Sequence, residues 1–457
     1  MPFDRASRRS RHRAQSLAAG MLAALLVLTL GSFATGARSA LAAEISGSSI
    51  PAPDRRIELD STIKFFGRGY GHGVGMSQHG ARGRALAGQD AATILAHYYE
   101  GTTLGSIDLA SQIRVRVLWK WKATATAPLV IYGRGSTWSI DGFEEIFPAD
   151  ASLQLVPTKL PGRPATWQVQ VRAEDGNILL DRNKPADLVV RRETSRGRLQ
   201  LASKPTSYDR YRGALRVITA KVKRKVKVVN EVELENYLRG VVPVEMPSTW
   251  PTEALLAQSI AARSYAARRL RPGESYFDVV DTSASQVYRG GKAERDATDA
   301  TIASTAGVVL KSGSSIANTF FHSTGGGATE DNENVFTSST GKLVAGPVSY
   351  LRGSLDRAPD GSAYDAEAPY ATWKTRRYSI AQLSAWMAAD PRTKVGTLTA
   401  LNLGNRGVSG RLISVTLIGS SGKKVVSGEV FRSVFNAGRP SADPMLRSTL
   451  FDLAPIP

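Results

Sequence analysis

The sequence of 457 residues contains no cysteine. That absence excludes a disulfide framework, a thiolate nucleophile, a zinc ribbon, an iron–sulfur cluster and a lipid-modified cysteine. Only five histidines are present, which leaves room for little more than one metal site. Beyond the N-terminal segment, no stretch is apolar for long enough to cross a membrane as a helix. A globular protein without cysteine chemistry remains.

Acidic residues are few relative to basic ones. Asp and Glu number 40 and Lys and Arg 59, which gives a net charge of +19. Hydrophobic residues make up 42% and charged residues 22%, which is typical of a globular protein and not of disorder. The length is sufficient for one elaborated domain or for two to three smaller ones.

The N-terminus has the pattern of an export signal. A cluster of five arginines within residues 5–13 precedes an apolar run of 14 residues at 17–30, which is short for a membrane span. Small residues at 40–42 have the spacing that a signal peptidase needs. We therefore predict a signal peptide at 1–42 and a flexible lead-in at 43–62, with an uncleaved, tilted membrane anchor as the alternative.

Most of the positive charge lies outside this signal. Cleavage would remove six arginines and Asp4, leaving 53 bases and 39 acids, or +14. On an exported protein, such a charge favours contact with anionic wall polymers or membrane surfaces. Nucleic acid is the second choice of partner, and general solubility is the simplest alternative.

Residues 63–110 open on glycine at every second position from Gly67 to Gly75. In an extended chain these glycines would share one face and allow another backbone or a ligand to approach closely. Helices are predicted near 78–87 and 91–100, the second capped by Asp90. Period-two alternation predicts a β-rich region at 111–215, and a helical pattern at 231–271 has Pro251 near a helix start. The predicted class is α+β.

Glu245 is the candidate general acid. It lies between Pro243 and Pro247 in an apolar stretch. Because proline does not fit a helix interior, a stiff, extended or turning segment is predicted here. A carboxyl group among apolar side chains loses hydration, which raises its pKa and suits it to acid catalysis near neutral pH. The alternative is a surface glutamate beside a helix start.

His72 and His79 lie seven residues apart in a glycine-rich segment. The spacing does not match a dinucleotide-binding loop. A metal site would need a third ligand, for which His322 is the best candidate and His97 a weaker one. Otherwise, His72 could contact sugar or carboxylate groups from a bare backbone, or simply lie in a turn.

Two further segments are polar and glycine-containing. Residues 320–327 join an apolar strand to a glycine-rich turn whose N–H groups could hold an oxyanion. His322 and Ser323 are adjacent, and neighbouring side chains on a strand face opposite ways, which argues against a serine hydrolase. Residues 281–290 have a composition suited to hydrogen-bonding a polymer, or to a plain loop.

Six segments together resemble the SpoIID/LytB family. The resemblance runs from about residue 65 to 451 and is weak between 120 and 210. The matching segments are 69–78 (GYGHGVGMSQ), 234–247 (LENYLRGVVPVEMP) with 253–266 (EALLAQSIAARSYA), 285–290 (SQVYRG), 321–326 (FHSTGG), 428–432 (GEVFR) and 446–451 (LRSTLF).

This resemblance implies a cell-wall function. Sporulation members are lytic transglycosylases that cleave peptidoglycan glycan strands and leave 1,6-anhydro ends, and other members enhance a wall amidase. Glu245 takes the family's catalytic acid position, and no cofactor or metal is expected. The residues implied to line or support the substrate groove are His72, Gln78, Gln258, Arg263, Gln286, Tyr288, His322 and Ser323.

The order of the segments departs from the family pattern. The segment at 69–78 usually closes the family domain, whereas here it precedes the domain. If the fold is shared, the chain is circularly permuted and His72 should pack near Glu245. We accordingly predict an N-terminal element at 63–110, a β-rich region at 111–215 and a SpoIID-like catalytic domain at 216–457. A family zinc site that uses cysteine is not expected.

Three functions follow as hypotheses. The first is an exported lytic transglycosylase that acts on peptidoglycan. The second is a non-catalytic peptidoglycan-binding enhancer of a wall amidase. The third is a wall hydrolase that uses a histidine-bound metal.

Overall fold

The computed structural model describes residues 54–158, 166–185, 187–219 and 225–456. The predicted signal peptide and the lead-in up to residue 53 lie outside the described residues. The chain divides into two compact units. Unit 1 combines the segment that ends at Leu104 with the segment that begins at Thr319, and unit 2 runs from Gly105 to Asn318.

The helices of the described residues are short apart from one in unit 2. In chain order they are α1 (Gln78–Leu86), α2 (Ala91–Tyr98), α3 (Leu234–Leu238), α4 (Val242–Glu245), α5 (Thr252–Ala267), α6 (Asp296–Ser304), α7 (Asn332–Val335), α8 (Ile380–Ala388) and α9 (Gly428–Gly438). None of these helices combines the length and the apolar character that a membrane crossing requires.

The strands dominate both units. The first are β1 (Arg56–Glu58), β2 (Thr62–Ile63), β3 (Phe66–Arg68), β4 (Met76–Ser77) and, where the units join, β5 (Thr103–Ser106). Unit 2 adds β6 (Gln112–Lys122), β7 (Leu129–Arg134), β8 (Trp138–Ile140), β9 (Ile146–Phe147), β10 (Ser152–Thr158), β11 (Thr166–Arg172), β12 (Ile178–Pro185), β13 (Leu188–Arg192), β14 (Arg198–Leu201), β15 (Arg210–Tyr211), β16 (Ala214–Thr219), β17 (Lys225–Glu233), β18 (Val279–Val280), β19 (Val308–Ser312) and β20 (Ser315–Ile316). Unit 1 resumes with β21 (Phe321–His322), β22 (Thr372–Lys374), β23 (Tyr378–Ser379), β24 (Leu398–Asn402), β25 (Ser414–Gly419), β26 (Gly422–Ser427) and β27 (Phe451–Asp452).

Unit 2 contains two larger sheets. One has the strand order β12-β11-β10-β7-β14-β15, and the other has the order β18-β6-β17-β16-β13-β8-β9. In the second sheet, β6 pairs antiparallel with β17 although about a hundred residues separate them. The same sheet takes β16, β13, β8 and β9 from the intervening β-rich region, and whether that region is an insertion stays a prediction.

Unit 1 is a set of small sheets around an aromatic core. One four-stranded sheet has the order β1-β24-β25-β26, so the first described strand pairs with a late one. Phe65 packs edge-on against Phe431, Phe435 and Phe451, with ring centroids 5.4–5.9 Å apart. These four rings are fully buried, so they join the N-terminal segment to the C-terminal segment through apolar contact.

The α+β prediction is confirmed, whereas several local predictions need correction. The helices predicted near 78–87 and 91–100 are present as α1 and α2, and the Asp90 carboxylate caps the second by accepting from the Thr93 N–H at 2.7 Å. The helical pattern at 231–271 is divided into α3, α4 and α5, with Pro243 in the first turn of α4 and Pro251 as the N-cap of α5. Glu245 therefore ends a single helical turn and does not lie on an extended segment.

Of the alternating glycines, Gly67 lies in the short strand β3, whereas the next four do not form a strand. Gly69, Gly71, Gly73 and Gly75 all have φ between 68° and 108°, the left-handed region that favours glycine. The close approach predicted for them is present: a Cβ on Gly75 would lie 2.1 Å from the Phe320 carbonyl oxygen. The boundaries between the compact units, after Leu104 and after Asn318, also differ from the predicted boundaries at 110 and 215. A catalytic domain at 216–457 stays a prediction.

Candidate active site

Glu245 is half-buried at the end of α4 in unit 2. The Val287 N–H donates to its Oε1 at 3.3 Å. Burial raises the pKa values of Tyr237 and Tyr265, and the nearby Glu245 carboxylate raises both further. Glu245 thus lies close to the aromatic side chains of Tyr237 and Tyr265.

A buried hydrogen-bond network positions the segment 285–290, which contains Val287, beside Glu245. Tyr237 Oη donates to Gln286 Oε1 at 3.1 Å, and Gln286 Nε2 donates to the Ala262 carbonyl at 3.3 Å. Tyr288 Oη donates to Asn230 Oδ1 at 2.8 Å. Because Gln286 and Tyr288 flank Val287 and are almost completely buried, they hold the N–H that meets Glu245. Gln286 and Tyr288 are expected from the sequence to line or support the substrate groove, and their buried positions agree with a supporting role.

Gln258 stands apart from that network. It lies on α5 with no exposed surface, and neither its Oε1 nor its Nε2 has a hydrogen-bond partner among the described residues. Buried amide groups are seldom left in this state, since an unsatisfied polar group costs about 1–3 kcal/mol. The hydrogen-bonding capacity of Gln258 is therefore unused among the described residues, and its place in a substrate groove stays a prediction.

Arg263 has the opposite character. Its side chain has no exposed surface, and its Nε and Nη2 donate to Glu235 at 2.7 and 2.8 Å. It also donates to the carbonyls of Val308 and Ile302, each at 3.1 Å. A guanidinium with this many protein partners holds α3, α6 and β19 to α5, so Arg263 supports the site rather than contacting a ligand.

Two further residues belong to this neighbourhood and were not predicted. The Arg269 guanidinium lies 3.2 Å from the centroid of the Tyr265 ring and donates to the Tyr265 carbonyl at 2.8 Å and to Asn318 Oδ1 at 2.9 Å. Burial lowers the pKa of Arg269. The signal was present in the sequence, because Arg269 follows Tyr265 by four residues, just beyond the end of α5.

In unit 1, two distant glycine-rich segments meet. Strand β21 pairs parallel with β4, which sets Phe321 beside Met76 and His322 beside Ser77. The rings of His72 and His322 are 5.4 Å apart between centroids. Gln78 is buried at the start of α1, directly after the N-cap Ser77. Four of the predicted site residues, His72, Gln78, His322 and Ser323, are thus brought together.

Both histidines are neutral, and their ring nitrogen atoms make different hydrogen bonds. His72 Nδ1 accepts from the Val74 N–H at 3.0 Å, and His322 Nδ1 lies 3.2 Å from the Val74 carbonyl, to which it must donate. His322 Nε2 is consequently an acceptor, and it has no hydrogen-bond partner among the described residues. Burial lowers the pKa of His72 to about 4, with Arg411 adding to the effect, and burial also lowers the pKa of His322.

The groups that could have formed an oxyanion cradle in this region are hydrogen-bonded within the protein. The Gly325 N–H donates to Ser77 Oγ at 3.1 Å and the Gly326 N–H to Asp365 Oδ2 at 2.7 Å, so these two groups of the predicted oxyanion cradle are occupied by protein. Ser323 Oγ lies 3.3 Å from the Thr324 hydroxyl. No group of three or more His, Asp or Glu residues within the described ranges is placed to hold a metal ion.

Acidification is expected to destabilise unit 1 through its buried histidines. Burial lowers the pKa of His72 to about 4 and that of His97 to about 3, while the same groups in an unfolded chain titrate near 6.5. The unfolded chain therefore binds more protons between these values, and the free energy of unfolding should fall as pH falls from 6.5 towards 4. Thermal melts across this window measure the effect. His72→Asn keeps an acceptor for the Val74 N–H and should show a shallower pH dependence. An unchanged slope would contradict the assignment.

A groove of about 690 Å³ on unit 2 lies away from the Glu245 neighbourhood. Glu245 is not among its lining residues, which include Arg114, Arg191 and Glu231. These charges are paired with Asp278, Asp141 and Arg216 respectively. We therefore place the candidate acid site at Glu245 and not in the groove. His72 and Glu245 belong to different units, and their predicted proximity stays a prediction.

Comparison with known proteins gives a family match that falls within unit 2. A family model for SpoIID, described as stage II sporulation protein, matches residues 222–311. This range contains Glu245, Gln258 and the 285–290 segment. The chain is also 29% identical over 252 residues to stage II sporulation protein D of Bacillus subtilis, and 40% identical over 108 residues to the amidase enhancer of the same organism. Residues 222–311 are thus similar to SpoIID proteins, and this similarity supports membership of the SpoIID/LytB family.

The similarity to individual SpoIID/LytB relatives is partial. The two alignments cover 50% and 24% of this chain, and 65% and 14% of the respective relatives. An uncharacterised protein of Brachyspira hyodysenteriae is 29% identical over 196 residues, which is 42% of this chain and 51% of that protein. The chain thus spans less than two thirds of each of these relatives. No solved structure matches the chain.

Proposed function

We propose that this SpoIID/LytB protein is an exported lytic transglycosylase that cleaves the MurNAc–GlcNAc bond of peptidoglycan glycan strands. The observation that carries the proposal is the position of Glu245: a half-buried carboxyl at the end of a proline-started helical turn, beside Tyr237 and Tyr265 and in contact with the Val287 N–H. A cell-wall role is common to the relatives whose names indicate a function, the stage II sporulation and amidase enhancer proteins.

One carboxyl group is sufficient for the proposed reaction. Protonated Glu245 gives its proton to the glycosidic oxygen, and the C–O bond to the leaving sugar breaks with the electron pair moving to that oxygen. The resulting carboxylate then takes the proton of the C6 hydroxyl, whose oxygen attacks the positively charged anomeric carbon. The product is a 1,6-anhydro sugar, and Glu245 ends protonated as it began. A glycoside hydrolase, by contrast, uses two carboxylates and a water molecule.

The remaining residues have distinct proposed roles. Gln258 is a fully buried amide without a hydrogen-bond partner among the described residues, and its proposed role is to support the groove from within. Gln286, Tyr288 and Arg263 hold the scaffold around Glu245. In unit 1, the His72–His322 pair with Gln78 and Ser323 is proposed to line or support a further part of the substrate groove. A circular permutation of the family domain remains part of the proposal.

The second candidate is a non-catalytic enhancer of a wall amidase. The 40% identity to the amidase enhancer favours it, and that alignment of 108 residues is the one with the highest identity among the longer matches. In that case the same surfaces would bind peptidoglycan and a wall amidase without cleaving a bond.

Digestion of peptide-free glycan strands separates these functions. Purified protein without its N-terminal 42 residues is incubated with the strands, and the soluble fragments are analysed for anhydro-muramic ends. Their appearance supports the transglycosylase. If no product forms but a wall amidase releases peptides faster when the protein is added, the result supports the enhancer function instead of the transglycosylase function. Loss of product on chelation would instead favour the hypothesis of a metal-dependent hydrolase.

A further inference from the structure

A bulge in unit 2 exposes an unusual group of side chains. The register of the β6–β17 pair shifts between Val226 and Val228 and again between Val228 and Val229. Within this bulge, where Trp119 and Lys120 of β6 face only Lys227 of β17, Lys120 has φ of 54°, a left-handed conformation that is unfavourable for a residue with a Cβ atom. Trp119, next to it, is 44% exposed. Bulges commonly redirect a side chain, and strain that serves no packing purpose often marks a functional surface.

Cations cover the aromatic rings at this bulge. The Arg116 guanidinium lies 4.4 Å from the centroid of the Trp119 ring and 4.6 Å from that of Phe277. Lys227 Nζ lies 4.7 Å from the Trp119 centroid and 4.3 Å from that of Tyr276. These contacts hold the cations in place by interaction with the ring faces, so their positive charge is presented to solvent in a fixed arrangement.

The same ladder brings like charges together. Lys225 stands directly opposite Lys122 in the register of β6 and β17, an arrangement that destabilises a sheet. The surface defined by this group is called the cationic strip. Its members are Arg116, Trp119, Lys120, Lys122, Lys225 and Lys227.

The cations of the strip lack anionic partners, which sets them apart from most arginines of unit 2. Within the described ranges, none of the five makes an ion pair or a side-chain hydrogen bond. By contrast, Arg198 and Arg212 both pair with Glu294 at 2.9 and 2.7 Å, and Arg239 pairs with Asp299 at 2.8 Å. Unneutralised cations at a strained bulge indicate a surface that is kept for an external anion.

We propose that the cationic strip binds an anionic wall polymer with repeating phosphodiester groups. The choice of a wall polymer rests on the proposed function in the cell wall, and it agrees with the net charge of +19. A bilayer fits less well, because the faces of the Trp119 ring are covered by cations and so are not available for insertion into lipid. The strip would keep the enzyme at the wall while unit 2 presents Glu245 to glycan strands.

Binding of the full exported chain to poly(glycerol phosphate) tests this inference. We expect Lys225→Gln combined with Lys227→Gln to weaken binding roughly 10- to 25-fold, given about three- to fivefold for each cation at an anionic surface. The dependence of Kd on salt should also become less steep. Lys342→Gln combined with Lys423→Gln removes two exposed cations of unit 1 and is the matched control, which should bind as the wild type does.

Trp119→Ala provides a second variant that leaves the net charge unchanged. It removes the ring that holds Arg116 and Lys227 and should weaken binding by several fold. The inference is overturned if both strip variants bind like the wild type, if the control pair loses as much affinity, or if phosphatidylglycerol vesicles or duplex DNA bind more tightly than the polymer. Formation of anhydro ends by the wild-type protein is assayed separately, so that a failure of polymer binding is distinguishable from a failure of the proposed function.

Discussion

Glu245→Gln is expected to reduce the rate of glycan-strand cleavage by roughly 10³–10⁴-fold, the upper part of the range for loss of a general acid–base group. The large effect follows from the double role of this carboxyl, which supplies a proton in the first step and removes one in the second. Glutamine retains the size of the side chain and an oxygen that can accept from the Val287 N–H. The fold around α4 should therefore persist while the chemistry is lost.

The measurement is release of soluble fragments from peptide-free strands, with thermal melts to confirm that the variant is folded. Glu274→Gln is the matched control, because Glu274 is an exposed carboxyl on the same unit. It should leave the rate within about twofold of the wild type, as expected of a surface substitution away from the site. Full activity of the Glu245 variant would rule out the single-carboxyl mechanism.

Arg263→Met is expected to lower the free energy of unfolding by about 3–5 kcal/mol, because it leaves Glu235 without its cation in a partly buried place. The substitution also leaves the carbonyls of Ile302 and Val308 without the donors that they now have. Since Arg263 joins α5 to α3, α6 and β19, the loss should weaken the whole scaffold of unit 2. Urea unfolding, followed by circular dichroism, measures this change in the free energy of unfolding.

A double variant, Arg263→Met with Glu235→Leu, distinguishes loss of the ion pair from loss of packing. Removing both charges should recover a substantial part of the stability, since buried pairs are often replaceable by apolar residues. If the single variant unfolds within 1 kcal/mol of the wild type, the clamp described for Arg263 is wrong. If instead it loses substrate binding at unchanged stability, Arg263 contacts the ligand.

The sequence allowed the local part of the site to be predicted and left the long-range part open. Glu245 could be found because two prolines and an apolar neighbourhood act within a few residues of it. The inward face of α5 was also visible as a periodic pattern, although the pattern could not tell the unpartnered Gln258 from the fully bonded Arg263. That distinction depends on Glu235, Ile302 and Val308, which come from three other elements.

The glycine-rich segment shows a second limit. Alternation at positions 67–75 has the period of a strand, yet the conformation is set by contacts with residues some 250 positions away, such as the Phe320 carbonyl beside Gly75. The division into units could not be predicted for the same reason. It depends on the β6–β17 pairing and on the burial of Phe65 against Phe431 and Phe451, all of which join distant parts of the chain.

The most direct test of the central claim is the mass of the fragments that the wild-type protein releases from peptide-free glycan strands. A transglycosylase that uses Glu245 alone forms the 1,6-anhydro ring without adding water, so each new muramic end should be one water lighter than a hydrolytic product. These ends should be absent with Glu245→Gln. Reducing ends that carry the added water, or anhydro ends that persist in the Glu245 variant, would contradict the account.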